Sequence, residues 1–275
     1  MLIFLNLNAI YLWCKTTEPA GTIYRYFAVG CINKKGNLLI FPITLLTKEM
    51  SKKTLLVAAT WAEANSLDTI KEMQVIPGGY LFDETEISIL VTGVGSVATA
   101  WALTKWISSN SKPDLAINIG IAGSYRHDLE IGEVVMPVAD CFADAGIDTG
   151  KGFLTLAEAG MEDPDCFPFR KGKIVAENRF VAKAAEIVKP VNAITVNTST
   201  GSPENISKLV KKFKPDIETM EGATFFYICS RENIPFLALR SISNRVEPRN
   251  KDNWNISLAL NRLSEKLGEV LLLFD

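Results

Sequence analysis

An alternation of short apolar runs with helical stretches, beginning near residue 50, constrains the fold of this chain most strongly. Short, continuous apolar runs are typical of strands whose two faces are both covered. Strands that alternate with helices favour a mostly parallel, twisted sheet between layers of helices. We therefore predict strands at residues 54–60, 87–93, 114–120, 132–138, 193–198 and 236–243. Helices are predicted at residues 61–73, 96–110, 178–189, 204–213, 218–231 and 255–274.

The first 49 residues differ in pattern from the rest of the chain. The opening run, MLIFLNLNAIYLWCK, is too short to span a bilayer comfortably and has neither a charged residue before it nor a small-residue cleavage site close behind. Met50 precedes a segment that reads like the start of an ordinary α/β domain. We predict one domain at residues 50–275 and an atypical extension at residues 1–49 that is either not native or loosely packed. The alternative is an N-terminal membrane anchor.

Charge and cysteine content argue against several classes of function. The net charge is −2 and the basic residues are scattered, so the chain lacks the electrostatic footprint of a nucleic-acid-binding protein. Its five cysteines form no close pairs, and one histidine cannot build a histidine-based metal cluster. We predict a protein of a reducing, cytoplasmic compartment, with no metal, no other cofactor, no nucleic-acid partner and no stable membrane association.

The turns after the strands are the places to look for a ligand site, because open α/β sheets bind ligands at the carboxyl ends of their strands. After the first strand, Thr60 and Glu63 have the spacing of a capping box, in which two side chains each bond the other residue's backbone N–H. The Glu63 carboxylate also stands at the ligand edge of the sheet, where it could orient a water molecule. The sequence leaves both interpretations of Glu63 open.

Two glycine-containing turns follow the next two strands. Residues 93–98, GVGSVA, match the dinucleotide-binding pattern between a strand and a helix. The strand after them ends without the acidic residue that holds a ribose in such sites, so the motif is weak evidence for NAD. Gly93 and Gly95 still allow backbone N–H groups at a helix N-terminus to approach a polar ligand. The turn at residues 118–125 repeats this device.

Glu221 lies in a segment that is otherwise almost entirely apolar, from Met220 to Cys229. A buried carboxylate without partners is strongly unfavourable. One conceivable partner is Arg240 on the following strand, in an internal ion pair. The other is a ligand with a pair of hydroxyl groups, such as a ribose, because a carboxylate accepts hydrogen bonds with both of its oxygens.

Four segments and the acidic first turn occur together in a characteristic order: GVGSVATA at 93–100, NIGIAG at 118–123, ETMEGA at 218–223 and LRSISN at 239–244. In this combination the chain resembles the nucleoside phosphorylase superfamily, and within it the hydrolytic nucleosidases. The resemblance implies a three-layer α/β/α fold with a mostly parallel mixed sheet, and cleavage of a purine N-glycosidic bond. It also implies that Glu63 activates the attacking water, and that Met220 and Glu221 pack beneath the ribose and bind its hydroxyls.

The turns at residues 58–65 and 91–103 contain no Arg or Lys, and the first contains an acid. Phosphorylases of this superfamily hold phosphate with arginines near these turns, and a bidentate Arg is well suited to that task. Because a phosphate dianion would be repelled here, water is the predicted nucleophile.

Asn244 departs from the adenine-specific nucleosidases that the chain resembles, which have Asp at this position. Asn can donate through its NH₂ group and accept through its carbonyl, whereas ionised Asp can only accept. A 6-oxopurine presents O6 and N7 as acceptors, so Asn244 suits hypoxanthine or guanine, and we predict that Asn244 is catalytic together with Glu63. Ile121, where those enzymes have Ser, also argues against adenine.

Three further segments, FADAGID at 142–148, TVNTSTGSP at 195–203 and SNRVEPRNKDNWNISLAL at 243–260, resemble the futalosine hydrolase family of menaquinone biosynthesis. This resemblance implies release of hypoxanthine from futalosine, leaving a ribose that bears a carboxybenzoyl group. Arg245 or Arg249 would then contact the carboxylate of that group. The alternative is that both arginines support the loop or a subunit contact.

The same resemblance suggests further contacts and partners. Gly201 and Ser202 lie where relatives bring backbone groups to the purine, although a plain loop before a helix fits these residues equally well. Ala122 and Ser243 are also expected to line the site, and a homodimer or larger homo-oligomer is expected. Two other functions stay open: hydrolysis of another purine nucleoside, such as 5′-methylthioadenosine or S-adenosylhomocysteine, and binding of a nucleoside or NAD without catalysis.

Overall fold

The chain forms two compact units, Met1–Ser51 and Lys52–Asp275. The computed structural model describes residues 3–6, 9–17, 23–32, 38–44, 52–65, 70, 73–77, 79–83, 85–248 and 253–274. Within these ranges, no helix combines the length and apolar character needed to cross a membrane. The predicted boundary between residues 49 and 50 lies outside the described residues, and the nature of the extension stays a prediction.

The first unit contains an antiparallel sheet of four strands: β1 Ile3–Asn6, β2 Ala9–Thr17, β3 Ile23–Ile32 and β4 Leu38–Thr44. Each strand pairs with the next one along the chain, so the order in the sheet is β1–β2–β3–β4. The sequence of this region shows no clear periodicity, and these strands were not predicted.

The second unit alternates strands and helices. Its helices are α1 Trp61–Ala64, α2 Ser96–Ser109, α3 Arg179–Ala184, α4 Pro203–Phe213, α5 Gly222–Arg231 and α6 Ile256–Leu272. Its strands are β5 Lys52–Ala58, β6 Met73–Ile76, β7 Gly79–Phe82, β8 Thr85–Val91, β9 Leu115–Ser124, β10 Val134–Asp140, β11 Gly146–Asp148, β12 Phe153–Thr155, β13 Phe169–Arg170, β14 Lys173–Val175, β15 Lys189–Thr195, β16 Ile217–Thr219 and β17 Phe236–Arg245.

Among the described residues, eleven of these strands form one mixed sheet in the order β13–β14–β10–β15–β16–β9–β5–β8–β7–β6, and β17 pairs with both β9 and β10. The strands β8, β5, β9 and β17 are parallel to their neighbours in that series. Antiparallel pairs lie at the two edges, and β17 and β16 make further antiparallel pairs with β10 and β9. The parallel series brings the turns after β5, β8 and β9 to one edge of the sheet.

The central strands are covered on both faces. β9 and β17 are buried at nearly every position, and successive residues of a strand point to opposite faces. The helices supply apolar side chains that are fully buried, including Phe225 and Phe226 from α5 and Leu263 and Leu267 from α6. A sheet buried on both faces beneath helices is a three-layer α/β/α arrangement, and the predicted fold class is confirmed.

Three predicted helices are wrong in part. The helix predicted at residues 178–189 ends at Ala184, and Lys189 begins strand β15. Residues 61–73 were expected to form one helix, but among the described residues only the first turn is helical, and Met73 begins strand β6. Residues 218–231 were also expected to be helical from the start, but Ile217–Thr219 forms β16, which pairs in parallel with β15. Segments of three or four residues are too short for hydrophobic periodicity to separate a strand from a helical turn. As a result, Glu218 lies on a strand, whereas Glu221 lies at the start of α5.

Candidate active site

Glu63 is held at the carboxyl end of β5 by the first turn of α1. Thr60 is the N-cap of this helix: its hydroxyl accepts a hydrogen bond from the Glu63 N–H at 3.3 Å, and Glu63 Oε2 accepts one from the Thr60 N–H at 2.9 Å. This is the capping box indicated by the sequence. Glu63 Oε2 also accepts the Ala59 N–H at 3.1 Å. One carboxylate oxygen is therefore bonded to the turn itself.

The second oxygen of Glu63 meets the neighbouring strand. Glu63 Oε1 accepts a hydrogen bond from the Ile121 N–H of β9 at 3.2 Å. A Cβ atom on Gly120 would lie 2.7 Å from this oxygen, so the close approach requires glycine at position 120. The two interpretations of Glu63 are therefore compatible, because Oε2 caps the helix while Oε1 lies at the carboxyl end of the sheet.

Glu221 reaches the same edge of the sheet from the C-terminal half of the chain. It is the N-cap residue of α5 but makes no side-chain capping bond. Instead, Glu221 Oε1 accepts the Gly95 N–H at 2.8 Å. Gly93 and Gly95 have φ angles of 88° and 92°, a backbone region that glycine adopts without steric penalty. The glycine turn after β8 therefore presents an N–H group to a carboxylate of this protein.

The two carboxylates influence each other electrostatically. Burial raises the pKa of Glu221, the Gly95 N–H and the Arg240 charge oppose that rise, and the Glu63 charge adds to it. Burial lowers the pKa of Arg240, while Glu221 and Glu63 oppose that change. Two acids that are far apart in sequence thus lie around one buried cation.

Arg240 donates its hydrogen bonds away from Glu221. Its Nη1 donates to the Asn118 carbonyl at 2.8 Å and to the Leu239 carbonyl at 3.0 Å, and its Nη2 donates to the Asn118 side-chain oxygen. Between the described side chains of Arg240 and Glu221 there is no ion-pair contact, so Arg240 acts on Glu221 as a nearby charge. The internal ion pair considered from the sequence is therefore not formed.

Four further predicted site residues flank the carboxylates. The partly buried Met220 lies between β16 and α5, and its carbonyl is 3.5 Å from the Ser96 hydroxyl at the start of α2. The Ile121 N–H donates to Glu63 Oε1, as described above. The carbonyl of the buried Ala122 accepts a hydrogen bond from the Ser243 hydroxyl at 3.3 Å. These contacts join α2, β9 and β17 around the two acids.

Asn244 lies on β17 opposite Gly123 of β9 and is 9% exposed. Its Oδ1 accepts the Ser243 hydroxyl at 2.8 Å, and its Nδ2 donates to the Arg245 carbonyl at 2.8 Å. An Asn side chain has two donor hydrogens and two acceptor lone pairs, so the amide keeps a second donor and a second acceptor position. A Cβ atom on Gly123 would lie 3.4 Å from Nδ2 and 2.9 Å from a methyl carbon of Val246. Glycine at position 123 therefore keeps space beside the amide.

A family comparison agrees with this arrangement. The family model described as the phosphorylase superfamily matches residues 55–274. The chain belongs to the phosphorylase superfamily. The match covers the second unit and confirms the superfamily resemblance seen in the sequence.

Two curated members of this superfamily are similar to the chain. It is 29% identical over 189 residues to the futalosine hydrolase of Streptomyces coelicolor, covering 66% of this chain and 77% of that protein. It is 28% identical over 185 residues to the futalosine hydrolase of Thermus thermophilus, covering 66% of this chain and 80% of that protein.

Solved structures of superfamily members share the fold. The native futalosine hydrolase of Helicobacter pylori has a TM-score of 0.64 and 20% identity, covering 82% of this chain and 97% of that one. The 5′-methylthioadenosine/S-adenosylhomocysteine nucleosidase of Helicobacter pylori has a TM-score of 0.67 and 20% identity, covering 81% of this chain and 99% of that one. The fold is therefore common to enzymes of both names.

Arg245 supports the loop that follows β9. Its guanidinium donates to the Arg126 carbonyl and, at 3.1 Å, to the His127 carbonyl. These bonds match the alternative considered from the sequence, in which the arginine supports the loop. Arg249 lies outside the described residues, and a contact of either arginine with a substrate carboxylate stays a prediction.

Gly201 and Ser202 lie in the loop before α4. The Ser202 hydroxyl caps that helix by accepting the Asn205 N–H at 3.2 Å. Gly201 lines a cavity of about 710 Å³ between this loop and the β11–β12 hairpin, with Asp144 and Thr200. The residues lining that cavity do not include Glu63, Glu221 or Asn244. The structure thus brings the two carboxylates together, whereas Gly201 lies at a separate cavity and Ser202 caps α4. The contact of Gly201 and Ser202 with the purine stays a prediction.

Sequence reasoning missed a buried polar group beneath Glu221. Asp140 at the end of β10 is completely buried, and its Oδ1 accepts the Cys141 N–H at 2.7 Å and the Thr195 hydroxyl at 3.1 Å. Burial raises the pKa of Asp140 to about 7, against the hydrogen bond from Thr195. The only signal in the sequence was an acid at the end of the apolar run 134–139.

Sequence reasoning also gave Glu218 no role. Glu218 Oε2 accepts the Tyr125 hydroxyl at 2.6 Å, and Glu218 Oε1 accepts the Thr200 N–H at 2.9 Å. Glu218 therefore joins the turn after β9 to the loop that precedes α4. Over the described part of the chain, no three His, Cys, Asp or Glu side chains are grouped so as to hold a metal ion.

Proposed function

We propose that this protein hydrolyses the N-glycosidic bond of futalosine, releasing hypoxanthine and dehypoxanthine futalosine in menaquinone biosynthesis. The observation that carries the proposal is the convergence of Glu63 and Glu221 on one edge of the sheet, around Arg240. The two curated relatives described above are both named futalosine hydrolase. The protein is thus an N-glycosyl hydrolase that acts on a purine nucleoside.

Glu63 serves as the general base for the attacking water. Its carboxylate is oriented by backbone N–H groups of two elements, β9 and the turn before α1. A positioned carboxylate takes a proton as water attacks and contributes typically about 10²–10⁴-fold to the rate. The water oxygen bonds to the anomeric carbon, its proton passes to Glu63, and the purine leaves with the electrons of the broken C–N bond.

Glu221 binds the ribose hydroxyls. Its Oε1 accepts the Gly95 N–H, and a carboxylate has further lone pairs for a diol. The transition state resembles an oxocarbenium ion, so positive charge grows on the ribose as the bond breaks. A fixed negative charge nearby stabilises that state more than the ground state.

Water rather than phosphate is the nucleophile. The turns that hold Glu63 and Gly95 contain no Arg or Lys between residues 58 and 65 or 91 and 103. Arg240 is buried, and its Nη atoms donate to Asn118 and Leu239. Glu63 and Glu221 would repel a phosphate dianion, and those turns contain no arginine or lysine to bind it.

Asn244 recognises the purine through hydrogen bonds. The second donor of its amide suits O6 or N7 of hypoxanthine, as both are acceptors. In this way Asn244 stabilises the electrons that accumulate on the leaving base. Ile121, Ala122 and Ser243 form the adjoining wall through β9 and β17.

The test is base release from three nucleosides. Purified protein is incubated with futalosine, inosine or 5′-methylthioadenosine, with and without phosphate, and free bases are separated by chromatography. Hypoxanthine from futalosine, at a rate independent of phosphate, is the expected result. Adenine as the sole product would instead support the second candidate, a 5′-methylthioadenosine nucleosidase, which the fold shared with the Helicobacter pylori enzyme favours. Binding without any base release would point to a nucleoside-binding protein.

The enzyme acts in the cytoplasm as a homodimer or larger homo-oligomer. Four large apolar side chains are exposed beside the catalytic turns: Trp61 at 68%, Val94 at 56%, Val97 at 83% and Trp101 at 66%. Val97 and Trp101 lie one turn apart on α2, and an exposed apolar patch of this kind is typical of a protein interface. Light scattering after gel filtration should give at least a dimer, and Val97→Asp should lower the mass. The same substitution at Val75, exposed on β6, is the control.

A further inference from the structure

The N-terminus of α5 is capped by residues outside its own helix. The first N–H groups of a helix need acceptors, which the side chain of the N-cap residue usually supplies. Glu221 occupies the N-cap position of α5, but its carboxylate accepts the Gly95 N–H and makes no capping bond. Other acceptors must therefore serve the first turn of this helix.

Two threonine hydroxyls supply those acceptors. The Gly222 N–H donates to Thr219 Oγ1 at 3.2 Å, and the Ala223 N–H donates to Thr195 Oγ1 at 2.7 Å. Thr195 lies on β15 and Thr219 on β16, so the helix start is tied to two strands of the sheet. The two hydroxyl oxygens are 3.4 Å apart.

Asp140 completes this arrangement from a third strand. Since Thr195 Oγ1 accepts from Ala223, its own proton is free to be donated, and it goes to Asp140 Oδ1 at 3.1 Å. Asp140 Oδ2 has no hydrogen-bond partner among the described residues. A Cβ atom on Gly222 would lie only 2.2 Å from Oδ2. The first residue of α5 therefore rests directly against the Asp140 carboxyl group.

We propose that Asp140 and Thr195 are positioning residues for Glu221: the Thr195 hydroxyl caps α5 from outside and Asp140 orients that hydroxyl, which frees the Glu221 carboxylate to bind the ribose hydroxyls. The inference rests on the proposed function, because it assigns the ligand of Glu221. An ordinary N-cap carboxylate would turn back onto its own helix. Here the capping bonds come from β15 and β16, so Glu221 can extend towards Gly95 and the ligand.

The environment of Asp140 fits this role. Burial raises its pKa to about 7, and the charge of Glu221 adds to that rise, whereas Thr195, the Cys141 N–H and Arg240 oppose it. A carboxyl group that holds its proton adds no second negative charge beneath Glu221. Below about pH 7, where Asp140 is mostly protonated, the helix start is thus positioned without a second negative charge beside Glu221.

The experiment compares futalosine with its 2′-deoxy analogue. A carboxylate that binds both ribose hydroxyls favours futalosine over the 2′-deoxy analogue. The ratio of kcat/KM for futalosine to kcat/KM for the analogue therefore reports on Glu221. Thr195→Val should lower kcat/KM for futalosine about tenfold or more, as expected when a buried N–H loses its acceptor. It should also lower the ribose to 2′-deoxyribose ratio towards the value of Glu221→Gln. Thr195→Ser, which keeps the hydroxyl, should preserve the ratio.

Asp140 is tested in the same way. Asp140→Ala removes the acceptor for Thr195 and should lower the ratio, whereas Asp140→Asn keeps an oxygen acceptor and should preserve it. Thr224→Val is the matched control, because the buried Thr224 hydroxyl on the same helix has no hydrogen-bond partner among the described residues. This control should retain wild-type kinetics.

An unchanged ratio in Thr195→Val, with both substrates slowed equally, would overturn the inference and leave Thr195 a purely structural residue. If Thr195→Val does not fold, Thr195→Ala removes the same hydroxyl with less crowding, and the same ratio decides. Failure of the proposed function would look different, since the wild-type protein itself would release no base. Calorimetric affinities for the same pair of ligands would then make the comparison, and equal losses for both ligands in Thr195→Val would again overturn it.

Discussion

At the proposed ribose end of the site, Glu221 and one oxygen of Glu63 accept backbone hydrogen bonds from distant elements, Gly95 before α2 and Ile121 on β9. The other oxygen of Glu63 bonds its own turn. At the proposed base end, Asn244 bonds its neighbours in sequence, the Ser243 hydroxyl and the Arg245 carbonyl. The first arrangement ties side chains to the sheet from several directions. The second depends on one strand, β17, and on the space left by Gly123 on β9.

This difference indicates that one end stabilises the transition state and the other selects the purine. Charges that must stabilise a transition state are most effective when the fold holds them in place beforehand. Asn244 is held by local bonds, so a substitution of this one side chain can change which purine is preferred without disturbing the rest of the sheet. Chemistry is therefore expected to be sensitive to substitutions at the ribose end, and substrate choice to substitutions at the base end.

The largest expected effect is that of Glu63→Gln. The amide cannot take a proton from water, so kcat should fall by about 10²–10⁴-fold while the substrate still binds. Single-turnover base release and calorimetric binding of futalosine, measured on the same preparation, separate the two steps. Turnover close to that of the wild type would reduce Glu63 to a helix cap.

Glu218→Gln is the matched control for that variant. Glu218 is as buried as Glu63, at 6% and 8% exposure, but its carboxylate joins Tyr125 and Thr200 rather than the ribose end. The amide oxygen can still accept the Thr200 N–H, so kcat should fall by less than about tenfold. A loss in Glu218→Gln that equals the loss in Glu63→Gln would remove the contrast between the two ends.

The next effect concerns stability and pH. Burial raises the pKa of Asp140 from 3.8 to about 7, so the folded state holds this proton more tightly than the unfolded state. The stabilisation is complete below about pH 4 and is lost as the pH rises through about 7. Between pH 5 and 8, the free energy of unfolding of the wild type should fall by about 2–3 kcal/mol relative to Asp140→Asn. Urea denaturation of both proteins at several pH values measures this difference.

Parallel curves for the wild type and Asp140→Asn would show that Asp140 titrates alike in the folded and unfolded states. Burial of the Asp140 carboxylate would then not lower the free energy of unfolding. Arg240 and Glu221 are present in both proteins, so their own titration largely cancels from the comparison.

A pair of glycines on β9 tests the two ends directly. A Cβ on Gly120 would meet Glu63 Oε1 at 2.7 Å, whereas a Cβ on Gly123 would meet a flexible Val246 methyl at 2.9 Å and the Asn244 amide at 3.4 Å. Gly120→Ala should therefore shift the catalytic carboxylate and lower kcat about tenfold, a cost of about 1.4 kcal/mol. Gly123→Ala should change kcat by less than about threefold and should mainly raise KM. Steady-state kinetics with futalosine measure both, and the reverse order would contradict the proposed assignment of the two ends.

The fold and the position of Glu63 at the carboxyl end of the sheet could be predicted because they depend on short-range rules. Apolar runs marked most strands of the sheet, and the carboxyl ends of parallel strands had to place Glu63 near the glycine turns. The strand β16 was missed because Ile217–Thr219 has only three residues, two of them polar, and shows neither an apolar run nor a measurable alternation. The link from Asp140 through Thr195 to Ala223 joins residues far apart along the chain, and no local pattern in the sequence reports such a contact. The bonds of Arg245 to two carbonyls were foreseen only as an alternative.

The smallest effect expected is that of Asn244→Asp. The carboxylate keeps the acceptor for the Ser243 hydroxyl but loses the donor to the Arg245 carbonyl and the donor offered to a 6-oxopurine. Activity on futalosine should fall severalfold to about tenfold, the usual cost of one neutral hydrogen bond, and the ratio of adenine to hypoxanthine released from matched nucleosides should rise. Base release by chromatography measures both, with Asn261→Asp on the exposed face of α6 as the control. Because the bonds of Asn244 are local, the change should leave kcat for the best adenine nucleoside close to its wild-type value. A fall in kcat for every nucleoside, without a change in preference, would mean that Asn244 only assists the departure of the base and that the purine is chosen elsewhere.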